Sequence, residues 1–284
     1  MHLCLALLLA AQLTPAEIRK KPDATFEEIV SLPLVYTAPN IDRVIEQRDL
    51  KYKDDRRLDV YRPRDSKSHP VVLFVHGGVG PEDRPKDWGV YRSWGRTIAT
   101  SGLVAVIPNQ RLGFPARHYE EGAADVRDAM EFVRSHRREL HATDRFCIIA
   151  FSGGGPMLAP FLRSAPADVK CLAGFYPILD TSDTNNAEAQ VTDEQRREYS
   201  AVRTLADHDA PTIPILIARG GHDQIPGVRD MIDRFVTVAL QKNVNLILLN
   251  HPTGRHGFEF LDDDDRSREI VITAIEFMKR HLGE

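Results

Sequence analysis

Cysteine, long apolar runs and excess positive charge are all scarce in this sequence, and each scarcity excludes a class of protein. Three cysteines in 284 residues are too few for a disulfide-stapled scaffold. No run of about 18 apolar residues occurs, which excludes a bundle of membrane-spanning helices. Basic residues number 37 against 41 acidic ones, without a Lys/Arg stripe, so the sequence does not indicate nucleic-acid binding.

The composition that remains is that of a globular protein. Hydrophobic residues make up 42% of the chain and charged residues 27%, which excludes a disordered or collagen-like polypeptide. A length of 284 residues allows one large domain or two small ones, and it suffices to bury a sizeable core.

The first residues depart from the globular pattern. Leu3 to Ala11 is an uncharged apolar run that is too short to span a bilayer and resembles the h-region of a secretory signal. We therefore predict a signal peptide over residues 1–11 and export to the periplasm or the medium. Only the terminal amine and His2 precede the run, so the usual positive charge is weak. The alternative is a buried N-terminal helix in a cytoplasmic protein.

Two cysteines remain after that segment. Cys147 and Cys171 each lie within an apolar run typical of a buried strand, where a thiol behaves most simply as a small hydrophobic group. A disulfide between neighbouring strands is geometrically possible, and the sequence leaves that question open. Neither cysteine has the spacing of a zinc site.

The sequence predicts eight β-strands. The first two are joined across a charged turn, and the later ones are continuous apolar runs, as expected for strands buried on both faces. The predicted strands are Val44–Tyr52, Arg57–Arg62, Pro70–Val75, Leu103–Ile107, Arg145–Phe151, Val169–Phe175, Ile213–Ala218 and Val244–Leu249.

Stretches with helical periodicity separate these strands. The clearest is Tyr119–Leu140, in which Ala123, Val126 and Met130 fall on one face. Alternating strands and helices predict the α/β class, with a mostly parallel sheet of about eight strands and helices on both faces. We expect residues 12–284 to form this single domain.

The stretch from Asp180 to Asp209 interrupts the alternation. It holds eight acidic and three basic residues and lacks a strong apolar period. A connection of that length without an evident core role is usually functional. We therefore predict that residues 180–209 form a cap or lid excursion.

A glycine-flanked serine follows one of the predicted strands. The run Ala150–Gly155 reads Ala-Phe-Ser-Gly-Gly-Gly, which places Ser152 at the carboxyl end of a strand, where parallel sheets bind ligands. The run fits the G-x-S-x-G pattern of a nucleophile elbow, with Ala150 in the first position. A plain tight turn would explain this motif equally well if it stood alone.

A second strand end is also rich in glycine. The sequence His76-Gly77-Gly78 follows a predicted strand, and glycines there let backbone N–H groups approach a developing oxyanion. The alternative, a phosphate-binding loop, is disfavoured because no Walker lysine follows.

Two later strand ends supply an acid and a base. Asp223 follows a strand in a glycine turn, and His256 lies in the loop after the last strand. Taken singly, Asp223 could be a helix N-cap and His256 a solvated loop residue. In chain order, however, Ser152, Asp223 and His256 match the triad order of an α/β-hydrolase.

These motifs together resemble the α/β-hydrolase superfamily, in particular its esterase and lipase branch with a His-Gly-Gly oxyanion loop. The likeness runs from about Val44 to the C-terminus. The segment Asn109–Leu112 followed by Phe114-Pro115 also resembles that branch, and Asp125 falls where those esterases carry an acidic residue. The sequence departs from the pattern at Ala150 and at Val79, which interrupts the glycine loop, and in having Gly153 where the branch often has alanine.

The resemblance implies a serine hydrolase that cleaves a small or medium carboxylic ester through an acyl-enzyme. Ser152 would be the nucleophile, His256 the base and Asp223 its orienting acid. Backbone N–H groups of Gly78 and Gly153 would form the oxyanion hole, with Gly77 assisting. No metal or organic cofactor is expected, and the partner is a small-molecule ester. A serine peptidase on the same fold and a non-catalytic, hydrolase-like binding protein are the alternatives, and the oligomeric state stays open.

Other polar residues suggest metal sites less strongly. The run Asp262–Asp265 could suggest calcium, but acidic residues that open a helix are favoured by its positive end, and EF-hand spacing is absent. His222 and His251 near the predicted site could suggest zinc, but no motif supplies a tetrahedral set.

Overall fold

The computed structural model describes residues 13–77, 80, 83–113, 118–182 and 191–284. Several predictions therefore lie outside the described residues: the signal peptide over 1–11, Gly78 and Val79 of the glycine loop, Phe114-Pro115, and positions 183–190 of the predicted cap.

All eight predicted strands are present. They are β1 (Val44–Lys53), β2 (Arg56–Pro63), β3 (His69–Val75), β4 (Val104–Pro108), β5 (Ala142–Phe151), β6 (Val169–Phe175), β7 (Ile215–Gly220) and β8 (Leu246–His251). The strand β7 begins after Pro214, not at Ile213 as predicted, because proline has no N–H to donate to a neighbouring strand. The strand β5 begins three residues before its predicted start, since it includes the polar residues Thr143 and Asp144.

The strands form one sheet in the order β1-β2-β4-β3-β5-β6-β7-β8. The pairs β1–β2 and β2–β4 are antiparallel, and every other neighbouring pair is parallel. The predicted mostly parallel sheet is confirmed. Because β3 to β8 run in the same direction, the loops that follow them meet at one edge, which we call the carboxyl edge.

Helices connect most of the strands. They are α1 (Pro15–Lys20), α2 (Phe26–Ser31), α3 (Gly89–Thr100), α4 (Tyr119–Ser135), α5 (Arg137–Leu140), α6 (Ala159–Arg163), α7 (Asp193–Glu198), α8 (Ala201–Asp207), α9 (Val228–Gln241), α10 (Phe258–Leu261) and α11 (Asp265–Leu282). Within the described ranges, none of them is both long enough and apolar enough to cross a bilayer.

The core lies on both faces of the sheet. Every residue of β3 and β4 is buried, and successive strand residues point to opposite faces, so helices must cover both faces. The helix α3 contacts β2 and β4, α9 contacts β7 and β8, and α11 contacts β5 to β8. The α/β layers predicted from the alternating pattern are therefore present.

Cys147 and Cys171 form a disulfide between β5 and β6. They are register partners in the parallel pair, their Cα atoms are 4.7 Å apart, and both residues are fully buried. The sequence left open whether these two cysteines are bonded, because only the strand order makes them neighbours.

The described part of the predicted cap packs against the body of the domain. Asp180 is buried, and its carboxylate accepts a hydrogen bond from Ser200 and forms an ion pair with Arg234 on α9. In α7, Gln195 donates to Glu120 in the first turn of α4 over 2.9 Å. Since α4 follows β4, its first turn lies towards the carboxyl edge of the sheet.

Candidate active site

Ser152 lies on a strained turn directly after β5. Its φ of 49° is left-handed, a conformation that costs an L-residue roughly 1–2 kcal/mol. A Cβ on Gly154 would come within 2.5 Å of the His76 carbonyl oxygen, so only glycine lets this turn pack against the end of β3. The segment Ser152–Leu158 is a 3₁₀ turn that leads into α6.

Ser152, His256 and Asp223 form a connected hydrogen-bonded chain. The Nδ1 atom of His256 is 2.7 Å from a carboxylate oxygen of Asp223, and its Nε2 atom is 2.8 Å from Ser152 Oγ. The carboxylate can only accept, so the proton belongs on Nδ1, and Nε2 is free to accept the serine hydroxyl proton. The structure thus brings the three predicted side chains together.

Backbone contacts hold the acid loop against the histidine loop. The N–H of Gly221 donates to the His251 carbonyl over 2.8 Å, and the N–H of His222 donates to the Gly254 carbonyl over 2.9 Å. A Cβ on Gly221 would lie 2.0 Å from the Pro252 carbonyl oxygen, so this approach requires glycine. The two loops are therefore fixed relative to each other.

Asp223 is buried and held in place by a second hydrogen bond. Its other carboxylate oxygen accepts from the N–H of Ile225 over 2.8 Å. The interpretation of Asp223 as a helix N-cap is wrong, because α9 begins at Val228 with Gly227 as its N-cap. The carboxylate therefore remains available to His256.

The predicted oxyanion loop begins beside the serine. A Cβ on Gly77 would lie 3.7 Å from Ser152 Oγ, but the N–H of Gly77 donates to the Tyr91 hydroxyl over 3.2 Å and is thus already engaged. Gly153 is buried at the start of the 3₁₀ turn, where the first N–H groups have no acceptor within the turn. Gly78, the other predicted donor, lies outside the described residues.

His76 is a fully engaged, neutral histidine. Its Nδ1–H donates to the Gly77 carbonyl over 2.7 Å, and its Nε2 accepts from the N–H of Gln110 over 3.0 Å. Burial lowers the pKa of His76 to about 4, so the ring stays uncharged near neutrality. It therefore supports the glycine loop and offers no free nitrogen for proton transfer.

Arg111 and Asp125, two of the residues that carry the resemblance, form an ion pair. The Arg111 guanidinium donates to both carboxylate oxygens of the buried Asp125, over 3.0 and 2.8 Å. The N–H of Arg111 also donates to that carboxylate over 2.9 Å. This pair fixes the loop after β4 at the carboxyl edge.

Tyr176 and Glu259 are site residues that the sequence reasoning missed. The ring centroid of Tyr176 is 4.3 Å from that of His256, and its hydroxyl donates to Glu259 over 2.5 Å. Burial raises the pKa of Glu259 to about 7, and burial likewise raises the pKa of Tyr176. In the sequence, only position pointed to these residues. Tyr176 directly follows β6, and Glu259 lies three residues after His256.

The residues that suggested metals have other partners. Asp264 is the N-cap of α11, and Asp262 pairs with Arg255. His251 is buried, with its Nε2 within 3.2 Å of the Asp264 carboxylate and within 3.1 Å of the Ser267 hydroxyl. Across the part of the chain that the structure describes, His, Cys, Asp and Glu side chains form no cluster of three or more that could hold a metal ion.

This sheet order is that of an α/β-hydrolase fold, in which Ser152 follows β5 and is hydrogen-bonded through His256 to Asp223. The family model described as BD-FAE, of α/β-hydrolase-type esterases, matches residues 58–162. That range includes the glycine loop and the serine turn, so the predicted resemblance is confirmed. Comparison with curated proteins found no match.

Solved structures of esterases share this fold. The esterase Est22 with p-nitrophenol is 22% identical, with a TM-score of 0.63 over 83% of this chain and 80% of its own. Inhibited esterase B from Lactobacillus rhamnosis is 16% identical, with a TM-score of 0.69 over 85% and 88%. Esterase 2 from Thermogutta terrifontis, phosphorylated by paraoxon, is 19% identical, with a TM-score of 0.64 over 85% and 95%. These likenesses confirm the predicted fold.

Proposed function

We propose that this protein is a serine hydrolase that cleaves a small or medium carboxylic ester through an acyl-enzyme. The observation that carries the proposal is the continuous chain from Ser152 Oγ through His256 to Asp223, with distances of 2.8 and 2.7 Å. It starts at a serine in the left-handed conformation. A plain tight turn would not require a left-handed backbone at the serine. It would also not require a hydrogen bond from the serine to a histidine that follows another strand.

The residues act in two steps. Ser152 Oγ attacks the ester carbonyl carbon while its proton passes to His256 Nε2, and the π electrons move onto the carbonyl oxygen. That oxyanion would accept from the N–H groups of Gly78 and Gly153, each contributing about 3 kcal/mol. The tetrahedral intermediate then expels the alcohol, which takes the proton from His256. Water attacks the acyl-enzyme in the same way, with His256 again as the base.

Asp223 has an electrostatic role in both steps. It is buried and pairs with Nδ1 of His256, so it holds the tautomer and stabilises the imidazolium as it forms. It does not take the proton itself. None of these steps needs a metal or an organic cofactor.

The neighbouring structures support ester chemistry at such a serine. Est22 was solved with p-nitrophenol, esterase B with a tributyrin phosphonate and esterase 2 after phosphorylation by paraoxon. Organophosphorus probes of this kind react with an activated serine. They are therefore suitable reagents for this chain as well.

A cavity lies at the carboxyl edge next to the loop after β4, and its described lining does not include Ser152 or His256. It has a volume of about 310 Å³ and is lined mostly by polar residues: Gly80, Asp83, Gln110, Arg111, Gly113, His118 and Glu121. Gly80 belongs to the loop that begins beside Ser152, and Gln110 donates to His76. A cavity of this size is at the lower end of the range for small-molecule sites.

Labelling with paraoxon, followed by mass spectrometry of the intact chain and its peptides, tests the proposal. We expect the diethylphosphoryl group on the peptide that contains Ser152, together with hydrolysis of p-nitrophenyl acetate and butyrate. Ser152→Ala should fold, resist labelling and lose at least about 10³-fold in kcat. Ser66→Ala is the matched control, because it changes an exposed serine and should leave both readouts unchanged. Labelling of Ser152→Ala at the wild-type rate would refute the assignment.

We also propose that the chain is exported after removal of a signal peptide over residues 1–11. The disulfide between Cys147 and Cys171 supports this proposal, because disulfides persist in oxidising compartments and are rare in the cytosol. The apolar run from Leu3 to Ala11 provides the second support.

A further inference from the structure

Tyr176 restricts the imidazole of His256 on a side where the triad makes no contact. Its side chain is buried, and the two ring planes meet at 52° with their centroids 4.3 Å apart. Asp223 and Ser152 engage the two ring nitrogens. Together with the Cβ–Cγ bond, these two hydrogen bonds orient the imidazole, and a small tilt about the side-chain bonds of His256 remains possible. The Tyr176 ring supplies the contact that limits this tilt.

Glu259 anchors the Tyr176 ring from α10, the helix that follows the His256 loop. The hydroxyl of Tyr176 donates to the Glu259 carboxylate over 2.5 Å, and Glu259 is fully buried in α10. The backbone carbonyl of Glu259 accepts from the N–H of Val35 over 2.9 Å. The hydroxyl of Tyr176 thus connects the end of β6 to α10.

The backbone of Tyr176 is strained at this position. Its φ is 38°, in the left-handed region, and its N–H donates to the Ala218 carbonyl over 2.7 Å. Left-handed conformations of large residues persist where the surroundings determine them, and they cluster at active sites. Glu259 is enclosed in the same way, because its Oε2 atom is also buried.

We propose that Tyr176 is a positioning residue for His256, with Glu259 as its anchor. This inference rests on the proposed ester hydrolysis, because a fixed tilt matters when Nε2 must take a proton from Ser152 and deliver it to the leaving alcohol. Tyr176 itself transfers no proton and forms no bond with the substrate. It acts by keeping the acceptor lone pair of Nε2 aimed at Ser152 Oγ through both steps.

The test compares three variants. Tyr176→Phe removes the anchor and keeps the ring, whereas Glu259→Gln keeps an oxygen that can accept from Tyr176. Tyr52→Phe is the matched control, because Tyr52 is also buried and its hydroxyl also donates, to the Asn109 carbonyl over 2.7 Å. We expect Tyr176→Phe to lower kcat for p-nitrophenyl acetate about tenfold with little change in KM. Glu259→Gln should retain most of the activity, and Tyr52→Phe should retain all of it.

Two further measurements separate positioning from a purely structural role. The low-field proton resonance of His256 Nδ1–H reports the imidazole directly, and we expect it to shift or broaden in Tyr176→Phe but not in Tyr52→Phe. The rate of paraoxon labelling should fall in parallel with kcat. All activities are compared below the melting temperature of each variant, so that loss of folded protein does not contribute.

The outcomes are distinguishable. Wild-type kcat and an unchanged His256 resonance in Tyr176→Phe, with only the melting temperature lowered, would overturn the inference and leave the proposed function intact. Absence of both hydrolysis and labelling in the wild-type protein would refute the proposed function, and the resonance would still decide the positioning role.

If Tyr176→Phe does not fold, Glu259→Leu removes the acceptor and leaves the ring. A wild-type resonance and kcat in Glu259→Leu would then overturn the inference.

Discussion

Two buried side chains beside the triad respond to pH in opposite directions. His76 supports the glycine loop and Glu259 anchors Tyr176, and neither contacts solvent appreciably. Burial disfavours the charged form of each, so His76 resists protonation while Glu259 resists ionisation. The stability of the fold therefore depends on pH at both ends of the neutral range.

His76 predicts a loss of stability in acid. Its pKa is about 4 in the folded chain and 6.5 as its ordinary value, so below about pH 6.5 the unfolded chain binds the extra proton. Stability should fall by about 3 kcal/mol between about pH 7 and pH 4 from this residue. Urea unfolding of the wild type and of His76→Gln across this range measures the effect. The difference between the two should shrink as the pH falls, and a constant difference would contradict the prediction.

Glu259 predicts the opposite trend. Its pKa is about 7 in the folded chain against an ordinary value of 4.5, so the folded state holds the proton more tightly. The stability contributed by the protonated group is fully present below about pH 4.5 and is lost as the pH rises through about 7. The wild type should lose about 3 kcal/mol relative to Glu259→Gln between about pH 4 and pH 8. Parallel pH curves for the two proteins would show that Glu259 ionises normally.

At the scale of elements, the carboxyl ends of the strands assemble the site. The serine follows β5, the acid follows β7, the histidine follows β8, and the glycine loop follows β3. Parallel strands bring these loops to one edge. Hydrogen bonds between these loops then set the distances between the three side chains.

The disulfide between β5 and β6 should contribute stability without affecting chemistry. It closes a loop with a sequence separation of 24 residues, which corresponds to about 3 kcal/mol in the chain-entropy model. The double variant Cys147→Ala/Cys171→Ala should lose about that much in urea unfolding and keep the wild-type KM, since the bond lies below the carboxyl edge. If reduction left the stability of the wild-type protein unchanged, the bond would not contribute as predicted.

The predicted cap can be tested by replacement. The segment 180–209 is joined to the body through the ion pair of Asp180 with Arg234 on α9, and Gln195 of α7 contacts the first turn of α4. Replacing residues 183–190 with a Gly/Ser linker of equal length keeps these contacts. We expect altered KM values across a panel of p-nitrophenyl esters, with little change in melting temperature. Identical kinetics for the parent and the linker variant would contradict the cap.

At the scale of the whole molecule, helices cover both faces of one eight-stranded sheet, and acidic residues slightly outnumber basic ones. The formal net charge is −4, and no described helix could span a membrane. The two observations that support the proposed export are the apolar run in the first residues and the disulfide.

Export predicts a shortened chain with a closed disulfide. Expression of the full sequence in a bacterium with a periplasm should yield a periplasmic protein whose N-terminal sequence begins near residue 12. Expression of residues 12–284 in a reducing cytosol should give thiols that react with iodoacetamide after unfolding. The measurements are N-terminal sequencing and intact mass. A full-length cytoplasmic product would refute the proposed export.

The strands and the order of the site residues could be predicted from the sequence. Continuous apolar runs such as Val71–Val75 have few alternatives, because a strand buried on both faces consists mostly of apolar residues. The glycines around Ser152 are likewise required locally by a tight turn. Chain order then suggested which acid and which histidine belong to the serine.

Only the tertiary structure determined the contacts between segments distant in sequence. Sequence separation does not reveal that Cys147 and Cys171 face each other, since the strand order makes them neighbours. Tyr176 and Glu259 belong to no motif, and their contacts with each other and with His256 exist only because β6 and the last loop end at the same edge. Local patterns determine which elements form, whereas packing between elements determines which side chains meet and how their pKa values shift.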